Sequence, residues 1–246
     1  MSGHSKWHSI KYKKAAVDAK RGNIFTKHAK LIAVAARGGG DPNDNASLRL
    51  AIDNAKADNM PNNNIERAIK KGTGEDKEGS QIEELFYEGY GPEGVAIYVH
   101  ALTDNKNRTA AEVRHIFSKN GGNMGGAGCV AFLFEHKGVL YFENIADRKE
   151  ALEIAAIEAG AEDLEGDEES MELITSFADF NKVRKELTQA GFQPQEASTE
   201  FRAKDKITID NQETVDKIMK LIEILEEDDD VNEVYTNFEP GEGVTL

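Results

Sequence analysis

Three stretches of helical periodicity open the chain. Phe25, Ala29, Ile32 and Ala36 recur at helical spacing, while Lys27, Lys30 and Arg37 group on another face. The three glycines Gly38-Gly39-Gly40 predict the end of that helix, because continuing through them is costly. A second helix is expected from Asp44 or Asn45, turning Leu48, Ala51, Ile52 and Ala55 inward. A third is expected after Pro61, which suits a first helical position; it buries Ile65, Ala68 and Ile69 and stops at Gly72. Residues 1–75 therefore read as a helical bundle, followed by the polar linker 73–81.

Beyond the linker the period changes. Ile82–Tyr87 and Val95–Leu102 read as strands joined across the turn-rich stretch Gly89–Gly94. A helix from Arg108 to Asn120 buries Ala110, Val113, Ile116 and Phe117 and ends at Gly121. Val130, Phe132 and Phe134 then alternate as in a half-buried strand. Residues 138–203 give strand (Val139–Phe142), helix (147–159), strand (161–165), strand (Glu172–Thr175), helix (179–190) and strand (Glu196–Arg202). That β-α-β-β-α-β order is the split βαβ, or ferredoxin-like, arrangement. The chain closes with a helix burying Val215, Ile218, Met219, Ile222 and Leu225, and a strand over Val231–Phe238.

The expected fold is α+β in three domains. The first is the helical bundle of residues 1–75. A discontinuous α/β domain follows, from 80–135 and 206–240, with a ferredoxin-like α/β domain, 138–203, inserted into it. Without the insertion the last helix and strand would lack partners for a complete sheet.

Charge sharpens this picture. The first 37 residues carry nine Lys or Arg against one acid, Asp18, on a chain whose net charge is −15. Residues 1–75 hold 14 basic and 7 acidic residues, net +7, and residues 76–246 hold 16 basic and 38 acidic, net −22. An acidic body repels polyanions, so the concentrated positive segment is the part suited to nucleic acid. Trp7, the only Trp, and Tyr12 lie in that segment and can stack on bases. A hydrophobic content of 39% with 30% charged residues excludes wholesale disorder. No apolar run approaches the ~20 residues of a membrane span. The start MSGHSKWHS lacks an apolar signal core, and Gly3, His4 and Trp7 interrupt any amphipathic transit helix. One cysteine, Cys129, allows no internal disulfide and fits a reducing compartment; the expected location is cytoplasmic.

The candidate motifs point away from catalysis. The glycine-rich stretch Gly121–Gly128 follows a helix and precedes a strand, the reverse of a P-loop, and lacks the Gly-Lys-Ser/Thr that would hold phosphate and magnesium. It reads either as a flexible connection or as a mobile loop whose amides approach the phosphates of a macromolecular partner. Asp104–Thr109 reads as a capped helix start, with Lys106 and Arg108 as an alternative second phosphate contact. His4 and His8 lie four apart without a third ligand, so no metal is expected. Cys129 has no motif-level His or Asn partner and reads as a structural thiol. The acidic runs Glu162–Glu169 and Glu226–Asp230 lack calcium-loop spacing and read as solvated surfaces. No enzyme activity, cofactor or small-molecule substrate is expected.

Several longer words are more specific. Gly3-His4-Ser5-Lys6-Trp7, Lys20-Arg21-Gly22, Phe25-Thr26-Lys27, Gly38-Gly39-Gly40-Asp41-Pro42 and Tyr87-Glu88-Gly89-Tyr90-Gly91-Pro92 closely resemble the YebC family. So do Thr103-Asp104-Asn105, Asn107-Arg108-Thr109 and Gly121-Gly122-Asn123, so the resemblance runs essentially end to end. Met124 stands where the family word often has leucine, a volume-conserving change. The resemblance implies three domains, one helical and two α/β, and a non-enzymatic regulator of gene expression. Bacterial members are usually described as DNA-binding transcriptional regulators. Others, including a mitochondrial translational activator of cytochrome oxidase subunit I, act on translation, and a ribosome-associated role has been proposed for bacterial members.

The expected function is nucleic-acid binding, to DNA or alternatively to ribosomal RNA in the ribosome. Lys6, Lys11, Lys13, Lys14, Lys20, Arg21, Lys27, Lys30 and Arg37 would neutralise phosphates, with Lys106 and Arg108 as a second contact. His4, Ser5 and Trp7 complete the candidate set, Trp7 by stacking. No helix-turn-helix or zinc-finger signature is recognisable in the sequence. The acidic domains are candidates for docking a protein partner; no membrane contact is expected.

Overall fold

The computed structural model describes residues 18–75 and 81–245, with side chains from residue 23 onward. These residues form two compact units, one of Glu135–Arg202 and the other of the chain on either side of it. The fold is α+β with seven α-helices among the described residues.

The flanking unit begins with three helices, α1 (Asp18–Ala35), α2 (Ala46–Ala57) and α3 (Asn62–Thr73). Their shared core is Ile32, Ala36, Leu48, Ile52, Ala55, Met60, Ile65 and Ala68, with Phe25, Ala29, Ala51 and Ile69 packed against it. Asn45 organises the first corner. Its Oδ1 accepts from the Leu48 amide at 3.0 Å, capping α2, while its Nδ2 donates to the carbonyls of Ala35 and Gly39. Two expectations change in the third helix. Pro61 precedes α3 as its cap residue, where its carbonyl accepts from Asn64 and Ile65. The helix also runs through Gly72 and ends at the left-handed Gly74, φ 77°. Gly72 serves packing instead of termination: a Cβ there would lie 2.3 Å from the Ala33 carbonyl oxygen.

The same unit continues with β1 (Glu83–Tyr90), β2 (Ala96–Thr103) and α4 (Lys106–Lys119). After the glycine-rich stretch and the inserted unit come α7 (Gln212–Glu227) and β9 (Val231–Thr236). A two-residue strand β3 (Asn123–Met124) completes a four-stranded sheet of order β3-β1-β2-β9, with all three pairings antiparallel. Val99 pairs with Val234, so the C-terminal segment finishes the sheet begun at residue 83. The apolar side chains of α4 and α7, Val113, Phe117, Val215, Ile218 and Leu221, are fully buried. Two short strands that periodicity did not indicate, β8 (Ile207–Ile209) and β10 (Phe238–Pro240), pair in parallel.

One expected strand is absent from this region. Val130 is buried, but Ala131–Leu133 is a 3-10 turn, and Phe132 is 64% exposed. Only Phe134 enters a strand, β4 (Phe134–Glu143). The amides of Val130 and Ala131 donate to the Glu88 carboxylate, so they are not available to a neighbouring strand.

The inserted unit contains most of β4, then α5 (Lys149–Ala159), β5 (Asp163–Gly166), β6 (Ser170–Ser176), α6 (Phe180–Gln189) and β7 (Glu196–Ala203). Its sheet order, β5-β6-β4-β7, is the ferredoxin-like one. Leu140, Leu152, Leu173, Phe180, Val183 and Leu187 form its core. Gly138 admits the Phe180 ring, since a Cβ there would approach it to 2.4 Å. Arg202 is 10% exposed and pairs with Glu172, Glu200 and Glu165, so the expected solvated run Glu162–Glu169 is partly tied down. Burial opposes the charge on Arg202, but Glu200 and Glu172 overcome this and raise its pKa.

Candidate nucleic-acid interface

The predicted cations separate by what they touch. His4, Ser5, Lys6, Trp7, Lys11, Lys13 and Lys14 lie outside the described residues, as does His8. Lys20 and Arg21 lie on the backbone of α1, with side chains outside the description. Arg37 is exposed just beyond α1. Lys106 is exposed at the start of α4, where its carbonyl accepts from the Tyr87 hydroxyl at 3.3 Å.

Lys27, Lys30 and Arg108 are engaged within the protein. Lys27 Nζ donates to the Glu226 carbonyl at 2.7 Å, and Asn23 donates to that of Glu227 at 3.3 Å. Lys30 Nζ donates to the Asp229 carbonyl and to Asp230 Oδ1, both at 2.7 Å. The cause is electrostatic. The C-terminal carbonyls of α7 carry the negative end of its dipole, and its last turn has no basic residue of its own. The lysines of α1 supply the missing positive charge.

Asp230 is the centre of this arrangement. Its Oδ2 accepts from the Arg108 guanidinium at 2.7 Å and lies 2.7 and 3.0 Å from the hydroxyls of Thr109 and Thr103. The backbone of Asp230 also joins the sheet, accepting from the Leu102 amide at 2.8 Å. Burial alone would raise the pKa of this 5%-exposed acid. Hydrogen bonds from Arg108, Lys30 and Thr109 outweigh burial and hold it well below the ordinary carboxylate range. The expectation of a solvated acidic run over Glu226–Asp230 is thus corrected at its last residue. Glu112 and Asp228 bring carboxylate oxygens within 4.8 Å of those of Asp230, and within that cluster Lys30 and Arg108 pair with Asp230. Asn105 caps α4, its Oδ1 accepting from the Arg108 amide at 3.2 Å.

A second carboxylate fixes the glycine-rich stretch. Glu88 Oε1 accepts from the Gly128 amide at 2.6 Å, and Oε2 accepts from Val130 and Ala131 at 2.7 and 2.8 Å. Gly125 donates to the Glu88 carbonyl, and Asn123–Met124 pairs with Tyr90 and Gly89. Burial raises the Glu88 pKa, but the three amides prevail and lower it. An internal anion therefore occupies the amide donors that a phosphate would need. The loop is held along β1, and at these amides it offers no phosphate cradle. Burial and the nearby Glu88 charge push the Cys129 thiol up, away from nucleophilic reactivity.

Between the helices and the sheet of the flanking unit lies a groove of about 1140 Å³. Its lining combines apolar Phe25, Met60 and Ile82 with the cations Arg67 and Lys71 and the acids Asp228 and Asp229. Residues 5–75 match the family described as "TACO1/YebC protein N-terminal domain", and residues 82–238 match "TACO1/YebC second and third domain". The chain belongs to the TACO1/YebC family. A "Probable transcriptional regulatory protein" of Persephonella marina is 54% identical over 241 residues, covering 97% of this chain and 96% of the relative. One of the same description from Syntrophus aciditrophicus is 53% identical, covering 97% and 96%. A crystal structure of a conserved hypothetical protein from Aquifex aeolicus superimposes with a TM-score of 0.87 at 46% identity, covering 95% and 96%.

The descriptions of these relatives support a regulatory role. No helix among the described residues is long and apolar enough to cross a membrane. Arg67, Lys70 and Lys71 of α3, absent from the set predicted from sequence, are exposed, and Ile65 and Ala68 of the same helix are buried.

Proposed function

We propose that this protein is a non-enzymatic, cytoplasmic regulator of transcription that binds DNA through its basic N-terminal segment. The observation that carries the reading is the charge asymmetry: nine cations and one acid in 37 residues, on a chain of net charge −15. Lys27 and Lys30 leave the set of phosphate ligands, because the end of α7 and Asp230 hold them. The reading therefore rests on Lys6, Lys11, Lys13, Lys14, Lys20, Arg21 and Arg37, with Trp7 stacking. The names of the relatives support regulation; the electrostatics supports contact with a polyanion.

A salt titration against a DNA duplex tests it. If about six phosphates are neutralised, log K falls with log salt at a slope of roughly −5. A slope near zero refutes the electrostatic mechanism. Sequencing nucleic acid crosslinked to the protein in cells tests the choice of polymer, and recovery of mainly ribosomal RNA would replace the DNA reading with a ribosomal one.

A further inference from the structure

The cations of the helical domain that stay in solvent are concentrated on α3. Arg67, Lys70 and Lys71 are exposed, and among the described residues their side chains enter no ion pair or hydrogen bond. They stand at i, i+3 and i+4, so they share one face. Ile65 and Ala68 are buried on the other side, and Gly72 lets α3 approach α1 closely. Asn63, exposed one turn before Arg67, extends the same ridge with an amide that can donate or accept.

We propose that this ridge of α3 is a second DNA-contacting element, in which Arg67, Lys70 and Lys71 neutralise backbone phosphates. The proposal rests on the DNA-binding reading above and adds a surface to it. Three positive charges fall within about 6 Å of helix, and Glu66, exposed four residues before Lys70, leaves the segment at net +2, against roughly 3.5 phosphate charges on the same length of duplex. Arg67 and Lys71 border the groove and Lys70 does not. Because Asp228 and Asp229 line the same groove and repel phosphate, the duplex approaches from the Lys70 side of the ridge, outside the groove.

The test is fluorescence anisotropy over a salt series with a labelled DNA duplex and, in parallel, an RNA hairpin. The full-length triple variant Arg67→Ala, Lys70→Ala, Lys71→Ala is compared with a control triple, Lys182→Ala, Lys185→Ala, Lys220→Ala. The control removes the same net charge from exposed lysines elsewhere. The α3 triple is expected to melt like the wild type and to lose affinity for the duplex, with a salt slope shallower by about 2.7. Lys70→Ala alone should flatten it by about 0.9. The control should leave the slope unchanged. An unchanged slope in the α3 triple, or an equal change in the control, overturns the proposal. Loss on the hairpin with none on the duplex overturns the DNA assignment. A fourth variant, Lys6, Lys11, Lys13 and Lys14 all to Ala, separates the two readings. If it flattens the slope while the α3 triple does not, only this inference falls; if neither does, both fall.

Discussion

Lys30→Met should remove stability and leave DNA affinity intact, which is the opposite of what a phosphate ligand would do. The Lys30 side chain is 15% exposed and that of Asp230 is 7% exposed, so the pair is largely shielded from water. Its Nζ makes two hydrogen bonds of 2.7 Å, one to a carboxylate and one to a carbonyl. Hydrogen bonds to charged groups contribute about 1.5–3 kcal/mol, and Asp230 keeps Arg108 and two hydroxyls when Lys30 is gone. A loss of about 2 kcal/mol follows, or a melting midpoint lowered by roughly 4–8 °C for a chain of this size. The pH dependence has a definite sign. Asp230 has a folded pKa depressed below its unfolded value, so its contribution is present above the ordinary Asp pKa of ~3.9 and fades as pH falls below it. The gap between wild type and variant should be constant from about pH 5 to 8 and close in acid. Thermal melts across that range, with a salt titration on the same protein, check both halves. An unchanged midpoint together with a DNA slope flatter by about 0.9 would refute the reasoning and return Lys30 to the phosphate ligands.

Two further substitutions probe the frame around the interface. Glu88→Ala leaves the amides of Gly128, Val130 and Ala131 without their acceptor, and should cost roughly 2–4 kcal/mol. Limited proteolysis should then cut within 121–131, and resistance equal to wild type would show that the loop does not depend on this carboxylate. Gly72→Ala would ordinarily gain about 1 kcal/mol of helix propensity. The 2.3 Å approach of its Cβ to the Ala33 carbonyl should reverse that sign, to a loss of about 1–3 kcal/mol seen in urea unfolding. A stabilised variant would mean that α1 and α3 separate freely.

The division between what the sequence discloses and what it hides follows contact distance along the chain. Ile32, Leu48, Ile52 and Ile65 were legible as core because helical period is a local signal, and the helix start near Asp44 or Asn45 because the partners of Asn45 are within ten residues, although which of the two caps was not legible. The ferredoxin-like order was legible because each element carries its own period. Asp230 gave no such signal. Its partners Lys30, Thr103, Thr109 and Arg108 lie 200, 127, 121 and 122 residues away, and a count of charges cannot show where an ammonium group ends. Glu88 is similar, with donors 40 to 43 residues downstream in a stretch whose glycines suggested mobility. Gly72 misled for a related reason: a glycine reads as a stop when the helix packed against it is unseen.

Net charge is a poor guide to what this protein can bind, and the internal pairings explain why. A total of −15 predicts repulsion of any polyanion at long range. At 0.1 M salt, however, the screening length is about 10 Å, so a phosphate responds to charges within that reach of its contact surface. Acidic charge is partly compensated inside the fold: Lys30 and Arg108 pair with Asp230, and Arg202 offsets one of the three charges of Glu165, Glu172 and Glu200 around it. Lys27 and Lys30 reduce the positive count of the first 37 residues, but they also offset the acid run at the end of α7, the negative feature closest to them. The result is a helical domain whose outer ridge, Arg67, Lys70 and Lys71, is not opposed by an ion pair of its own. Lys27 and Lys30, read from sequence as phosphate ligands, are thus engaged at the end of α7 and at Asp230, and the cations left in solvent lie elsewhere on the helices.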